Sequence, residues 1–178
     1  YYVRFTFNGI EDLISYVKLL RPEKSENQKN YLHKTYSDLD SKNILHRLPM
    51  FDRFFWNGSR VASFATHPGR MSSIHKDGDS VQVSFNLPLT ILDNQCVTRW
   101  YADDTFKGIE PEGVPYTRTV LHDRLGYDHI PNIKEMVARP NEMVLFNTDI
   151  YHSWENKSKN IREILTLRLE EKEPPLKF

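Results

Sequence analysis

The spacing of apolar and polar residues divides the chain into a short N-terminal part with helical character and a longer part made of strands. Residues 1–7, YYVRFTF, alternate in the manner of a strand, which Asn8-Gly9 ends. The next segment, IEDLISYVKLL, is predicted to be a helix that stops before Pro22. Its apolar residues fall on one helical face: Ile10, Leu13, Ile14, Val17 and Leu20. For residues 23–43, which are polar and charged, we predict loops and a short helix.

From residue 60 onward the helical period gives way to the two-residue alternation of strands. The segment VQVSFNLPL places Val81, Val83, Phe85 and Leu87 on one side and Gln82, Ser84 and Asn86 on the other. Turn residues separate further strand-like segments: RVASFAT, VTRWYAD, IKEMVAR, EMVLFN, YHSWEN and REILTLRLEE. Residues 103–131 are rich in Gly and Pro, which predicts a long connection with one strand around TRTVL.

This order of elements predicts a mainly β protein with N-terminal helices. Roughly seven short strands at close spacing are typical of an antiparallel barrel or jelly roll, with the leading helices packed outside it. We expect one domain over residues 1–178, in which 1–58 form a helical or mixed support and 59–172 form a jelly-roll core. The insertion 103–131 is expected to help shape a pocket.

Composition narrows the classes of function. The chain has 178 residues, of which 27% are charged and 39% hydrophobic, as in ordinary soluble globular proteins. Basic and acidic residues are equal at 24 each, so nothing in the net charge favours nucleic acid or an anionic membrane as a partner. Cys96 is the single cysteine, which excludes an intrachain disulfide and a Cys-based zinc site. Without a membrane-length apolar run or a signal-peptide pattern, we expect a cytoplasmic protein.

Four residues together suggest a metal site. His75 and Asp77 precede the strand VQVSFNLPL with one residue between them, so an extended backbone points both side chains the same way. His152 begins YHSWEN, and a jelly roll can bring such distant strands side by side. Two imidazoles and one carboxylate form the facial triad of non-haem Fe(II) oxygenases, which leaves coordination positions open. Arg162, at the start of a strand, offers a fork for a carboxylate.

Each of these residues alone has a plainer explanation. Asp77-Gly78 is a turn dipeptide, and a single strand histidine is more often a hydrogen-bonded core residue than a ligand. A lone arginine usually forms a surface ion pair. The joint order of the four residues favours the metal site over these separate explanations. Among the aromatic residues, we expect Phe54 and Phe55 in the core.

The segments His75-Lys-Asp77 and PNEMVLFNTDIYHSWENKSKNIREILTLRL, from Pro140 to Leu169, resemble the 2-oxoglutarate and Fe(II)-dependent oxygenases. The resemblance lies in the order of HxD, distal histidine and arginine, with the arginine ten residues after the distal histidine. It covers residues 60–170 and implies a double-stranded β-helix (jelly-roll) core.

The resemblance also implies roles for individual residues. His75, Asp77 and His152 would bind Fe(II), 2-oxoglutarate would chelate the iron, and Arg162 would pair with its C5 carboxylate. O₂ would oxidise 2-oxoglutarate to succinate and CO₂, with hydroxylation of a prime substrate. Related halogenases carry a small residue in place of Asp77, so this aspartate favours hydroxylation.

One feature of the family pattern is missing. Some members carry a serine two residues after the arginine as a second carboxylate contact, whereas this chain has Ile164 there. Another donor is therefore needed, and four residues are candidates: Ser84, Asn86, Tyr101 and Thr166. Arg168, which shares the strand parity of Arg162, is an alternative partner of the co-substrate.

Two other functions remain open at this point. One is a non-catalytic jelly-roll module that binds a metal or ligand, and the other is a cupin-like metal enzyme that does not use 2-oxoglutarate. A cupin-like site would more often show further histidines close to His75, and His67 is the only one nearby. The prime substrate is either a small molecule or a peptide side chain, and the stretch IHKDG…SFNLPL resembles peptidyl hydroxylases.

Overall fold

The computed structural model describes residues 2–27, 31–49, 54–55, 61–77, 83–90, 95–107, 117–121, 130–168 and 170–171. Two helices are present in these ranges, α1 (Ile10–Leu19) and α2 (Asp38–Leu45). The strands before the core are β1 (Tyr2–Phe5), β2 (Lys24–Asn27), β3 (Leu32–Thr35) and β4 (Phe54–Phe55). The strands that follow are β5 (Val61–Thr66), β6 (Ile74–Asp77), β7 (Val83–Pro88), β8 (Cys96–Trp100), β9 (Thr117–Leu121), β10 (Lys134–Val137), β11 (Met143–Asn147), β12 (His152–Asn156), β13 (Arg162–Arg168) and β14 (Glu170–Glu171).

Two antiparallel sheets form the body of the fold. The larger sheet has the order β1-β11-β7-β13-β5-β3-β2, the smaller one has the order β10-β8-β12-β6-β9, and β14 pairs with β4. The chain alternates between the two sheets along β5, β6, β7 and β8, and again along β11, β12 and β13. This alternation is the double-stranded β-helix, so the predicted jelly-roll core is confirmed.

Both helices pack on the outer face of the larger sheet, as predicted. Gly9 precedes α1 in the left-handed region (φ 93), which a residue without Cβ adopts readily. The Ser37 side chain caps α2 by accepting a hydrogen bond from the Asp40 backbone N–H. Apolar residues of both helices form one buried cluster with the outward side chains of β7 and β13: Ile10, Leu13, Val17, Ile44, Leu45, Phe85, Leu87, Leu165 and Leu167.

The opposite faces of β7 and β13 are polar and face the smaller sheet. Phe85 and Leu87 point to the helices, so Ser84 and Asn86 point to the space between the sheets. The predicted sides of this strand are therefore confirmed from Val83 onward, while Val81 and Gln82 lie outside the described residues. The polar side of β7 lines an interior cavity instead of facing bulk solvent.

For residues 23–43 the structure confirms the predicted short helix, which is α2, and corrects the predicted loops, and it bears out TRTVL as a strand. The hairpin β2–β3 occupies much of the region predicted as loops, and it extends the larger sheet by pairing with β5. Its polar sequence lacks strand alternation, and only pairing to the β5 edge makes it a strand. The TRTVL strand is β9, whereas residues 108–116 and 122–129 of the long connection lie outside the described residues, as do the side chains of Phe54 and Phe55.

In the described ranges, neither helix combines the length and apolar character that crossing a bilayer requires.

Candidate metal centre

Two histidines and one aspartate meet where β6 and β12 lie side by side. His75 and His152 are directly opposite in the antiparallel pairing, and their ring centroids are 4.5 Å apart. His75 Nε2 is 3.8 Å from Asp77 Oδ1. Each of the three residues offers a ligand atom, and these atoms lie within 4.8 Å of one another. The fold thus brings together the three residues that the sequence singled out.

The backbone sets the same tautomer in both histidines. His75 Nδ1 lies 2.7 Å from the Ser73 carbonyl oxygen, and His152 Nδ1 lies 2.8 Å from the Ile150 carbonyl oxygen. A carbonyl oxygen only accepts, so each Nδ1 carries the proton and donates it. In a neutral imidazole with its proton on Nδ1, Nε2 keeps the lone pair that can bind a metal. This is the arrangement by which metal-binding histidines are oriented in proteins.

Burial acts on His152, and a neighbouring arginine acts on Asp77. Burial lowers the pKa of His152 to about 4, and His75 acts in the same direction, so the imidazole is neutral near pH 7. Asp77 is buried, and Arg168 Nη2 lies 3.3 Å from its Oδ2 and 3.4 Å from its Oδ1. The guanidinium limits rotation of this carboxylate.

The donor set suits a metal site with open coordination positions. Two imidazoles and one carboxylate match the facial triad of non-haem Fe(II) enzymes and also the three protein ligands of catalytic zinc sites, whereas structural zinc sites use four protein ligands. In the described part of the chain, no fourth His, Cys, Asp or Glu joins the group. The residues present therefore fit Fe(II) with positions left for other ligands.

A cavity of about 240 Å³ between the sheets joins this group to Arg162. Trp154, Phe146 and Phe64 supply aromatic walls. Trp154 extends from β12 two residues beyond His152, and its ring centre is 5.6 Å from the guanidinium carbon of Arg162. The cavity thus has the candidate metal ligands and a cationic side chain on the same lining.

Arg162 is a buried cation with no counter-ion among the described residues. The residue is 5% exposed, its Nε lacks a hydrogen-bond partner, and no described residue forms an ion pair with it. Burial lowers its pKa to about 10, which leaves it protonated near pH 7. An unpaired buried charge is costly unless something satisfies it. The environment of Arg162 therefore calls for an anion from outside the described chain.

The other candidate residues fall into two groups. Ser84, Asn86 and Thr166 line the cavity, and the Thr166 hydroxyl donates to Asn86 Oδ1 at 2.9 Å. The structure does not bring Tyr101 there. Its hydroxyl is 2.9 Å from Ser153 Oγ, because alternation along β8 places Thr98 and Trp100 inward and the next residue outward.

The two arginines of β13 lie at different positions along the cavity. Arg168 contacts the metal-ligand candidate Asp77, whereas Arg162 begins the strand near the other end and has no carboxylate partner among the described residues. Of the two alternatives for the co-substrate carboxylate, Arg162 is the unpaired one.

Sequence reasoning missed other residues of the cavity. Thr98 could have been found, because it is a polar residue two positions before Trp100 in an apolar strand. Tyr31 and Phe64 gave no such signal. Tyr31 enters the lining only because the hairpin β2–β3 adds to the edge of β5.

Comparison with known proteins identifies the fold class. No family model matches the sequence, and no curated protein matches it. Solved structures at a TM-score of 0.57 include a non-haem alpha-ketoglutarate dependent carbocyclase from nogalamycin biosynthesis and a 2OG-Fe(II) oxygenase family oxidoreductase from Burkholderia pseudomallei. A third is an epimerase solved with Fe³⁺, alpha-ketoglutarate and nogalamycin RO.

The three neighbours align over most of both chains but share little sequence. Each is 12% identical to this chain and covers 93% of it, and the alignments cover 79%, 82% and 78% of the carbocyclase, oxidoreductase and epimerase. At this identity the likeness shows a shared jelly-roll fold. The chain is thus a jelly-roll protein with a candidate His-Asp-His metal centre.

Proposed function

We propose that the protein is an Fe(II)- and 2-oxoglutarate-dependent dioxygenase that hydroxylates a small molecule or a peptide side chain, with release of succinate and CO₂. One observation carries the proposal: the His-Asp-His group and the guanidinium of Arg162, which has no ion-pair partner among the described residues, line the same cavity. A metal-binding module would use the first three residues and leave Arg162 without a counter-ion. A dicarboxylate that reaches from the metal to Arg162 satisfies both.

The protein residues near the metal hold and orient it. His75 and His152 bind through Nε2, and their Nδ1–H bonds to backbone carbonyls keep the rings in place. Asp77 binds through its carboxylate, which Arg168 holds. Fe(II), when bound with 2-oxoglutarate, supplies the activation of O₂ that hydroxylation requires.

Arg162 and its neighbours bind the far end of the co-substrate. The guanidinium pairs with the C5 carboxylate, and Thr98 on the smaller sheet and Thr166 on the larger sheet place hydroxyl groups on the lining of the same cavity. Trp154 and Phe146 exclude water beside this ion pair, which strengthens it because the local dielectric constant is low.

The test is an anaerobic titration of the metal-free protein with Fe(II) and 2-oxoglutarate, following the visible metal-to-ligand charge-transfer band. We expect the band only when both are added, and its loss in His152→Ala. Arg162→Met should still bind Fe(II) but need about a hundredfold more 2-oxoglutarate, since a buried charge partner is removed. The controls are His46→Ala and Arg139→Gln, two exposed residues outside the cavity lining.

Two results would contradict the proposal. Fe(II) binding without a band in the presence of 2-oxoglutarate would favour a metal-binding module or a cupin-like enzyme. Absence of Fe(II) binding would mean that the His-Asp-His group is not an iron site.

A further inference from the structure

We propose that the prime substrate carries a carboxylate, which Arg168 and Tyr31 bind at the metal end of the cavity. This inference rests on the proposed function and adds the chemical class of the substrate to it.

The charges that line the cavity are the first argument. Among the described lining residues, Asp77 is the one carboxylate, and Arg162 and Arg168 are the two guanidiniums. In the loaded site, the charges of Fe(II) and Arg162 are balanced by Asp77 and the two carboxylates of 2-oxoglutarate. Asp77 cannot neutralise both the metal and Arg168. One positive charge therefore remains at Arg168, and one carboxylate would neutralise it.

Unpartnered polar atoms near Arg168 are the second argument. Arg168 on β13 lies directly opposite Ser84 on β7, and both line the cavity. Arg168 Nε and Ser84 Oγ are buried, and neither has a hydrogen-bond partner. The Arg168 side chain as a whole is 33% exposed, so a ligand can reach its guanidinium. Buried polar atoms in folded proteins are rarely left unpaired, and a bound ligand would satisfy these two.

Tyr31 adds a donor and an apolar wall to the lining of the same cavity. Its ring packs edge-on against Phe64 at 5.3 Å and Trp154 at 6.0 Å, and all three line the cavity. In the part of the chain that the structure describes, nothing hydrogen-bonds to its hydroxyl. Burial raises the pKa of Tyr31, so the phenol is protonated, and Tyr31 lines the same cavity as Arg168 and Asp77. A phenol beside a guanidinium suits a carboxylate, while Phe64 and the Tyr31 ring suit its carbon skeleton.

The test compares acids with their neutral amides in the loaded protein. Wild type is loaded with Zn(II) and saturating 2-oxoglutarate, and dissociation constants are measured by ligand-observed NMR. One pair is 3-phenylpropanoate and 3-phenylpropanamide, and the other is N-acetylglutamate amide and N-acetylglutamine amide. We expect at least one acid to bind about tenfold or more tightly than its amide, as for a charge-assisted hydrogen bond. The pair that shows the preference separates a free acid from an acidic peptide side chain.

Variants then assign the preference to the two residues. Arg168→Gln should bring the acid-to-amide ratio close to one, and Tyr31→Phe should reduce it several-fold. Arg139→Gln, an exposed arginine outside the cavity lining, should keep the wild-type ratio. Because Arg168 contacts Asp77, the Fe(II)–2-oxoglutarate band is recorded for every variant. If Arg168→Gln loses the band, its acid-to-amide ratio cannot be interpreted. The acid-to-amide ratio of Tyr31→Phe then decides whether the inference holds.

Three outcomes would overturn the inference: amides that bind as tightly as acids, a panel in which no acid binds, or a ratio unchanged by both substitutions. The last result would leave Arg168 as a residue that only positions Asp77. Absence of the band in wild type would instead contradict the proposed function, so the two failures are distinguishable.

Discussion

Two buried arginines of the jelly roll differ in what surrounds their guanidinium groups. Arg99 is 2% exposed, and it pairs with Glu135 Oε2 through Nε at 2.9 Å and with Glu155 Oε2 through Nη1 at 2.8 Å. Arg162 is buried to a similar degree, but no described carboxylate pairs with it. The ion pairs of Arg99 satisfy its charge within the fold, whereas the counter-ion of Arg162 would be the ligand of the proposed function.

This difference predicts opposite effects of one substitution at the two sites. Arg162→Met should leave the free energy of unfolding of the ligand-free protein unchanged or raise it by about 1–3 kcal/mol, because an unpaired buried charge is removed. Arg99→Met should lower it by about 3 kcal/mol, because Glu155 loses the nearer of its two ion-pair partners in a buried setting and keeps only Lys157 at 3.7 Å. Urea denaturation of both variants and wild type gives the comparison. A loss in Arg162→Met as large as that in Arg99→Met would mean that Arg162 has a structural partner.

At the scale of elements, the turn between β12 and β13 sets where Arg162 begins its strand. The buried Asn156 side chain holds this turn: its Nδ2 donates to the Thr66 and Asn160 carbonyl oxygens at 3.0 and 2.8 Å. Its Oδ1 accepts from the backbone N–H and the hydroxyl of Ser158 at 3.1 and 2.7 Å. One side chain thereby links β12, β5 and the turn. It connects the strand of the distal histidine to the strand of the arginine.

Asn156→Ala should therefore affect both stability and the far end of the cavity. We expect the free energy of unfolding to fall by about 2–4 kcal/mol, because several buried backbone and side-chain groups lose a partner. The affinity for 2-oxoglutarate should fall more than that for Fe(II), because the turn leads into Arg162 and not into the metal ligands. Calorimetric titration at a temperature where the variant is folded tests this order. Lys159→Ala, an exposed change in the same turn, is the control and should alter neither quantity.

At the scale of the whole molecule, the cavity lies between two sheets that contribute different groups. The smaller sheet supplies the histidines and Asp77, and the larger sheet supplies Arg162 and Arg168. A ligand that spans the cavity contacts both sheets at once. It binds the folded chain only, because these groups come together only in the fold.

Ligands should therefore stabilise the protein against heat in two steps. At concentrations about a hundredfold above the dissociation constant, a ligand adds about 2.7 kcal/mol, which corresponds to about 5–10 °C in Tm for a chain of this size. We expect one rise in Tm with Mn(II) and a second rise with 2-oxoglutarate, both measured by differential scanning fluorimetry. Arg162→Met should keep the first rise and lose the second. A second rise of equal size in that variant would place the co-substrate elsewhere.

The sequence by itself determined the local structure and the candidates for the site. Strand alternation and helical spacing depend on neighbouring residues along the chain. The segments YYVRFTF and VQVSFNLPL contain β1 and β7 within their described residues, and the helical spacing from Ile10 gives α1. The HxD spacing depends on one extended segment, so the shared direction of His75 and Asp77 could also be predicted. These features follow from the geometry of a few consecutive residues.

Only the tertiary structure decided which of the distant candidates meet. The pairing of β6 with β12 placed His152 opposite His75, and alternation along β8 excluded Tyr101 from the cavity. The hairpin with Tyr31 became a strand through the edge of β5, although its own sequence favours loops. Burial of Arg162 and the contact of Arg168 with Asp77 likewise arise between strands. The physical reason is that burial and pairing depend on neighbours in space, which the spacing of residues along one strand does not encode.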